Sequence, residues 1–266
     1  MSRKRQKPDT GDEALLLRSY AVTHPANLGL PPRAHRDWDL LAYASRGVMT
    51  VATGQGLWVV PPHRAVWIPA GVVHSVQMSG RVALRTLFFR TRLSRGRLPR
   101  TCLALNVSPL VRELVLHASR RSTLRRDDPA DRRLAQVILD QLRTLPAAPL
   151  QLPMPSDPRA RRAAELLQRD PSHPLSLAKA ARACGASKRT LERLFLRETQ
   201  MTLGRWRQRL RFVDALRRLA TGHAVTRVAL DVGYQSPSAF ISAFRRELGT
   251  TPGRYFAPAP GGAGSS

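Results

Sequence analysis

The segment from Pro174 to Phe256 repeats itself, and that repetition limits the fold more than any other feature of the chain. The first copy reads PLSLAKAARACGASKRTLERLF; after a long intervening stretch the second reads VTRVALDVGYQSPSAFISAFRRELGTTPGRYF. In each copy a short apolar helix runs to a glycine, Gly185 or Gly233, and a serine able to cap a helix follows, Ser187 or Ser236. The next helix carries its apolar residues at matching offsets: Leu191 with Phe240, Leu194 with Ala243, Phe195 with Phe244. The match continues through Arg197-Glu198 and Arg246-Glu247 to Gly204-Arg205-Trp206 and Gly253-Arg254-Tyr255. A self-match of this length marks a duplicated structural unit. A helix–turn–helix with a charged outer face is suited to a DNA groove.

The outer faces differ in chemistry. In the first unit Leu191, Leu194 and Phe195 turn inward, leaving Lys188, Arg189, Glu192, Arg193 and Arg197 outside. Arginine pairs bidentately with guanine and glutamate accepts from cytosine N4, so Arg189, Glu192 and Arg193 are the expected base readers. In the second unit Ser236-Pro237 opens a helix with Phe240, Phe244 and Leu248 inside, and Gly249 closes it. Ser238 and Ser242 are the outward base-contact candidates, and such short hydroxyls discriminate less. Ser187, Lys188, Arg197, Ser236, Arg245 and Arg246 are expected on the DNA backbone. Between the units, Leu203, Trp206, Leu210, Val213 and Leu216 form an apolar stripe from Thr202 to Ala220. Arg205, Arg207, Arg209, Arg211, Arg217 and Arg218 fill much of the remainder as phosphate candidates. Eighteen helical residues make a rod of about 27 Å. With a half-unit at each end it approaches the roughly 34 Å of one duplex turn.

Charge supports a polyanionic partner without locating it. The 266 residues carry a formal net charge of +26, divided as +14 over residues 1–155 and +12 over residues 156–266. Cys102 and Cys184, the only two cysteines, cannot build a disulfide framework and read as reduced buried thiols of a cytoplasmic protein. No apolar run reaches the length of a signal peptide or a membrane span, so no membrane partner is expected.

The expected fold class is α+β and multidomain. Residues 1–14 and 257–266 read as disordered tails. Residues 15–100 show short apolar alternations cut by Pro and Gly, the pattern of a small β-barrel or sandwich, with Trp58, Val60, Trp67 and Ile68 expected in its interior. Residues 101–145 read as a helical pair. Its first helix opens at Ser108-Pro109 with a stripe of Leu110, Leu114, His117 and Ala118. Its second runs from about Asp131 to Leu145 with Leu134, Val137, Ile138 and Leu142 on one face. These stripes suit either packing on the barrel or a dimer interface. Residues 146–157 are proline-rich and read as a semi-rigid linker rather than a folded element. Residues 158–256 hold the double helix–turn–helix, entered through a helix whose inner face is Ala163, Leu166 and Leu167.

Pro69-Ala-Gly71-Val-Val-His74 resembles the second cupin motif, P-x-G-x-x-H. Many cupins hold a metal with that histidine and a His-x-His pair from an earlier strand. Here those paired positions align with Ala34 and Arg36, so no metal and no cofactor is expected. His74 then reads as structural, with His35 and His63 at the surface, and Trp58, Trp67 and His74 are the candidate effector-pocket residues. No catalytic constellation stands out, and a non-enzyme is expected.

The C-terminal 100 residues resemble the AraC/XylS family of bacterial transcriptional regulators. The resemblance rests on Leu177-Ala178-x-x-Ala181 and Ser187-x-Arg189-x-Leu191-x-Arg193-x-Phe195, then Trp206-Arg207-x-Arg209-Leu210-Arg211. Above all it rests on Gly233-Tyr-Gln-Ser-Pro-Ser-Ala-Phe240, continued by Phe244-Arg-Arg and Gly249-x-x-Pro252. WVVPPHRAVWIPAGVVHSV followed by SPLVREL is similar to the cupin-type sensor half of one subgroup. The resemblance implies two three-helix DNA-binding subdomains joined by a linker helix behind a small β-barrel. It further implies double-stranded DNA as partner, a homodimer, a small-molecule effector, RNA polymerase or σ-factor contact, and work on the bacterial nucleoid in the cytoplasm. Two other readings remain: a metal-dependent cupin enzyme with an appended nucleic-acid module, and a non-specific architectural DNA binder.

Overall fold

The computed structural model describes residues 14–147, 151–169, 171 and 177–256; of the two expected tails only Ala14 falls among them. Among the described residues nine strands form one antiparallel sheet: β1 (Leu15–His24), β2 (Gly29–Arg33), β3 (Trp38–Thr53), β4 (Gly56–Val60), β5 (Arg64–Ile68), β6 (His74–Arg90), β7 (Leu103–Asn106), β8 (Thr123–Arg125) and β9 (Gln151–Pro153). The long strands β3 and β6 pair along most of their length and form its spine. The first half of β3 also pairs with β5, which pairs with β7; the second half of β6 pairs with β1, which pairs with β8. At the other end β4 pairs with the second half of β3, and β2 with the start of β6.

The main strand path runs β7-β5-β3-β6-β1-β8, and its ends do not pair. The expected closed barrel is therefore corrected to an open antiparallel sheet. Its two faces are set by a bulge. In β3, Leu40, Ala42 and Ala44 join one apolar cluster, and so do Met49 and Val51. That switch from even to odd numbers falls where the β3–β6 register shifts, between Ala44 and Val48, because an extra residue reverses the alternation of side chains. The opposite face is divided in consequence. Leu41 and Tyr43 pack under α2 (Pro109–Arg121) and α3 (Pro129–Thr144), whereas Val48 packs against the C-terminal helices.

Several expectations about side-chain direction are corrected here. Trp58, Val60 and Ile68 share the first cluster, but Trp67 lies in the cluster beneath α2 and α3 and donates its Nε1–H to the Pro99 carbonyl. Neighbours along β5 alternate faces, so Trp67 and Ile68 cannot share an interior. The buried line of α2 is Val111, Val115 and Ala118; Ala118 keeps its expected place and half-buried Leu114 packs against the same cluster, but Leu110 is 54% exposed and His117 is exposed. In α3 the buried line is Ala135, Ile138, Leu139 and Leu142, while Val137 faces out. The segment expected to be only a spacer forms β9, which pairs with Gly56–Trp58 of β4.

Asp39 was not singled out by sequence reading and organises one end of the sheet. It is 1% exposed and accepts hydrogen bonds from the Ala70 backbone N–H, Ser94 Oγ and Arg100 Nη1. These bonds tie β3 to the turn before β6 and to the short helix α1 (Thr91–Ser94). A buried carboxylate with three donors is stable because each lone pair lost to solvent is replaced.

Among the described residues seven further helices follow: α4 (Pro158–Arg169), α5 (Leu177–Ala183), α6 (Lys188–Thr199), α7 (Leu203–Ala220), α8 (Val225–Asp231), α9 (Pro237–Leu248) and α10 (Pro252–Phe256). They form two cores with α7 common to both. Trp206 and Leu210 of α7 join Ala160, Ala163, Ala164 and Leu167 of α4 and Leu191, Leu194 and Phe195 of α6. Phe212, Val213 and Leu216 join Val228, Phe240, Phe244 and Tyr255. Both cores also reach the sheet, the first through Leu152 of β9 and the second through Val48 and Val59. Gly80 of β6 has φ +71°, and a methyl group there would overlap the Ala220 carbonyl oxygen at the end of α7. Glycine at this position therefore permits the helix to lie against the sheet.

Candidate nucleic-acid interface

The two helix–turn–helix units are built alike at atomic level. Each pairs a seven-residue helix, α5 or α8, with a twelve-residue helix, α6 or α9. In the first turn the N–H groups of Gly185 and Ala186 donate to Arg182 and Ala181; in the second those of Gly233 and Tyr234 donate to Leu230 and Ala229. Both glycines have positive φ, +69° and +83°. Ser187 Oγ then accepts from the Thr190 N–H at 3.1 Å, and Ser236 Oγ from the Ala239 N–H at 3.2 Å. The second turn is one residue longer, Gln235 lying between the hydrogen-bonded turn and the cap. Beyond the caps Leu191, Leu194 and Phe195 are buried at the same offsets as Phe240, Ala243 and Phe244.

Burying those residues leaves the other face of each helix to solvent. Ser187, Lys188, Arg189, Glu192, Arg193 and Arg197 are exposed on and before α6, and Ser238, Ser242, Arg245 and Arg246 on α9. Ser236 is half-buried at its cap. Two ion pairs form among the α6 charges themselves. Lys188 Nζ lies 3.7 Å from Glu192 Oε1, and Arg197 Nη2 lies 2.6 Å from Glu198 Oε1. Glu198 also accepts from the Ser156 and Asp157 N–H groups at the entry to α4, and these hydrogen bonds with Arg197 hold its carboxyl down to about 2. Sequence reading missed this clamp, whose partners lie about 40 residues apart.

The arginines of α7 divide into two groups. Arg207 and Arg211 line a groove of about 500 Å³ with Gly204, Gly233, Tyr234 and Gln235. A Cβ on Gly233 would come within 3.1 Å of the Arg211 guanidinium carbon, so the glycine both forms the turn and admits that arginine. Arg205 is exposed nearby. Arg217 turns instead to the sheet, where its Nε donates to Thr50 Oγ1 at 3.1 Å; burial lowers its pKa. Arg218 pairs with Asp214 at 2.8 Å and Asp231 at 3.5 Å. Arg217 and Arg218 thus serve internal contacts, which corrects their expected place among the phosphate candidates.

In the sheet domain His74 is 2% exposed, with Nδ1 3.0 Å from the Val72 carbonyl. His35 is half-buried rather than at the surface, its ring 5.7 Å from that of His74, while His63 is exposed. The candidate effector residues do not meet as a set, since Trp67 lies on the face opposite Trp58. Among the described residues no three His, Cys, Asp or Glu side chains gather as metal ligands would. Cys102 and Cys184 are buried free thiols, and burial pushes Cys102 up to about 11. No described helix is long and apolar enough to cross a membrane.

A family model described as a helix-turn-helix domain matches residues 180–257, which include both turns. The HTH-type transcriptional regulator NimR of Escherichia coli K12 is 40% identical over 227 residues, covering 85% of this chain and 82% of its own. The chain belongs to the AraC-type helix-turn-helix transcriptional regulators. The similarity to NimR takes in the sheet domain as well as the paired units of this AraC-type regulator. Regulatory protein SoxS of Salmonella typhimurium is 37% identical over 83 residues, covering 31% of this chain and 78% of its own. A solved structure from Chromobacterium violaceum, described as an AraC-type DNA-binding domain-containing regulator, aligns at 29% identity with a TM-score of 0.37. It covers 40% of this chain and 97% of its own. The AraC-type regulator is a DNA-binding protein that acts on transcription.

Proposed function

We propose that this AraC-type regulator recognises a specific DNA sequence by placing α6 and α9 in successive major grooves of one duplex. The observation that carries the reading is the duplicated turn: two capped helices, with the same buried offsets and free outer faces, fixed to the two halves of one helix. Arg189, Glu192 and Arg193 read base edges from α6, and Ser238 and Ser242 from α9. Ser187, Lys188, Arg197, Ser236, Arg245 and Arg246 hold the sugar-phosphate backbone, joined by Arg207 and Arg211 from the groove between them. The sheet domain binds a small effector and adjusts this grip through its contacts with α7. The chain works as a homodimer in the bacterial cytoplasm, on the nucleoid when bound, and meets RNA polymerase at the promoters it controls.

Arg193 is fully outside the first core, so its substitution leaves the fold intact. Arg193→Ala is expected to cost about 1–3 kcal/mol on the specific site and to relax the preference at one base position. Arg245→Ala is expected to weaken all sequences alike and to reduce the salt slope by about 1. Competition binding on the footprinted site and on random DNA measures both. An equal loss for Arg193→Ala on the two DNAs would remove it from the base-reading set.

A further inference from the structure

The two helix–turn–helix units are anchored to the sheet in the same way. Trp206 and Tyr255 hold equivalent places in the repeat, and each meets the equivalent phenylalanine of its own unit edge-on, Phe195 at 5.3 Å and Phe244 at 5.6 Å. Each also donates a hydrogen bond to a proline carbonyl of the sheet domain. Trp206 Nε1–H donates to Pro153 at 2.7 Å, and the Tyr255 hydroxyl donates to Pro62 at 2.6 Å. Burial raises the pKa of the Tyr255 phenol above its ordinary value, so the group stays protonated and able to donate. Both bonds lead to β4. Pro153 pairs with Gly56 at the start of that strand, and Pro62 lies two residues beyond its end at Val60.

Alternation gives β4 two different faces. Leu57 packs against the first helical core, and Val59 lies within the second. Trp58 and Val60 point the other way, both buried in the sheet's own apolar cluster. Trp58 Nε1 is buried there without a hydrogen-bond partner. One five-residue strand therefore touches both helical cores on one side and the sheet interior on the other. The two units are joined along α7 and again along β4. A unit packed on one helix can slide or rock against it, and a second attachment removes that freedom.

We infer that β4 is a brace through which the sheet domain holds the two DNA-reading helices in fixed relation, so that packing around Trp58 and Val60 tunes the affinity for a two-groove site. Both units must be ready for the same duplex if the second is to bind as an intramolecular partner of the first, and any freedom lost on binding weakens the complex. The inference rests on the two-groove reading above and gives the sheet domain a route to both units.

Gel-shift titrations of the full chain, on the footprinted site and on the same duplex with its α9 segment randomised, test it. Tyr255→Phe removes one hydroxyl and keeps the ring. It is expected to weaken binding to the full site by about threefold or more, and to the half-randomised duplex by less than about twofold. Trp58→Phe removes an N–H that has no acceptor, from the face of β4 turned away from the helices. It too is expected to weaken the full site by about threefold or more. In the double variant the loss is expected to fall short of the product of the single losses by about twofold or more, because both changes loosen one strand. If Trp58→Phe melts early, Val60→Ala on the same face of β4 takes its place.

Unchanged full-site affinity in Tyr255→Phe, or an equal loss on both duplexes, would overturn the brace. Tighter binding would overturn it as well and make the Pro62 contact an inhibitory latch. A double-variant loss equal to the product would separate Trp58 from that contact and overturn the route from the interior. In each of these cases a wild-type preference for the full site leaves the two-groove reading standing. Equal wild-type affinity for the two duplexes would remove that reading and the brace with it.

Discussion

Replacing Trp206 by alanine is expected to lower the stability of the folded chain by about 3–5 kcal/mol, the range for removing a fully buried aromatic side chain. Trp206 is 0% exposed in the core that joins α4, α6 and the first half of α7. Its ring meets Phe195 edge-on at 5.3 Å, and its Nε1–H donates to the Pro153 carbonyl at 2.7 Å. Pro153 ends β9, so one side chain connects the DNA-reading half to the strand that pairs with β4. Alanine would leave a cavity and an unmatched carbonyl together. Phenylalanine would keep most of the packing and lose the hydrogen bond, a cost of about 1 kcal/mol. Urea unfolding measures both. A loss below about 1 kcal/mol for alanine would mean that the α7–β9 contact does not hold the halves together.

Adding five base pairs between the two groove segments of the bound site is expected to weaken binding by about 10²–10⁴-fold, the gain that linking two binding modules confers. The helix between the modules is continuous for 18 residues, and its buried side chains pass from the first core, through Leu210, to the second, from Phe212 onward, without a break. It cannot lengthen or unwind to follow a displaced groove. Five base pairs also turn the second groove segment to the far side of the duplex, where α9 cannot reach while α6 stays bound. Gel-shift titration of the original and lengthened sites provides the comparison. A loss of less than about threefold would show that the two units do not bind at once.

The helical half was legible because its information is local. Caps at Ser187 and Ser236, glycines at the turns and the offsets Leu191, Leu194 and Phe195 against Phe240, Ala243 and Phe244 lie within a few residues of each other. The sheet was less legible because pairing partners far apart in sequence decide it. Trp58 and Trp67 both read as interior, and only the bulge near Gly47 together with the alternation along β5 separates them. Residues 151–153 lie in a proline-rich segment that suggests a spacer, yet an edge strand tolerates Pro153 when β4 needs a partner. The stripe of α2 started one position early, at Leu110, because Leu110 and Val111 satisfy helical spacing equally; packing against β1 and β6 selects Val111, while Ala118 holds its expected place. Arg217 was indistinguishable from its neighbours until Thr50 of β3 came to face it.

In the proposed complex a single chain holds two groove-inserting helices at the pitch of DNA. Guanine methylation interference on the strongest footprinted site tests it most directly. For each bound chain, interfering N7 positions are expected in two patches on one face of the duplex, about 10 base pairs apart. Arg193→Ala should remove one patch and leave the other. One patch per chain, or two set half a turn apart on opposite faces, would contradict the arrangement.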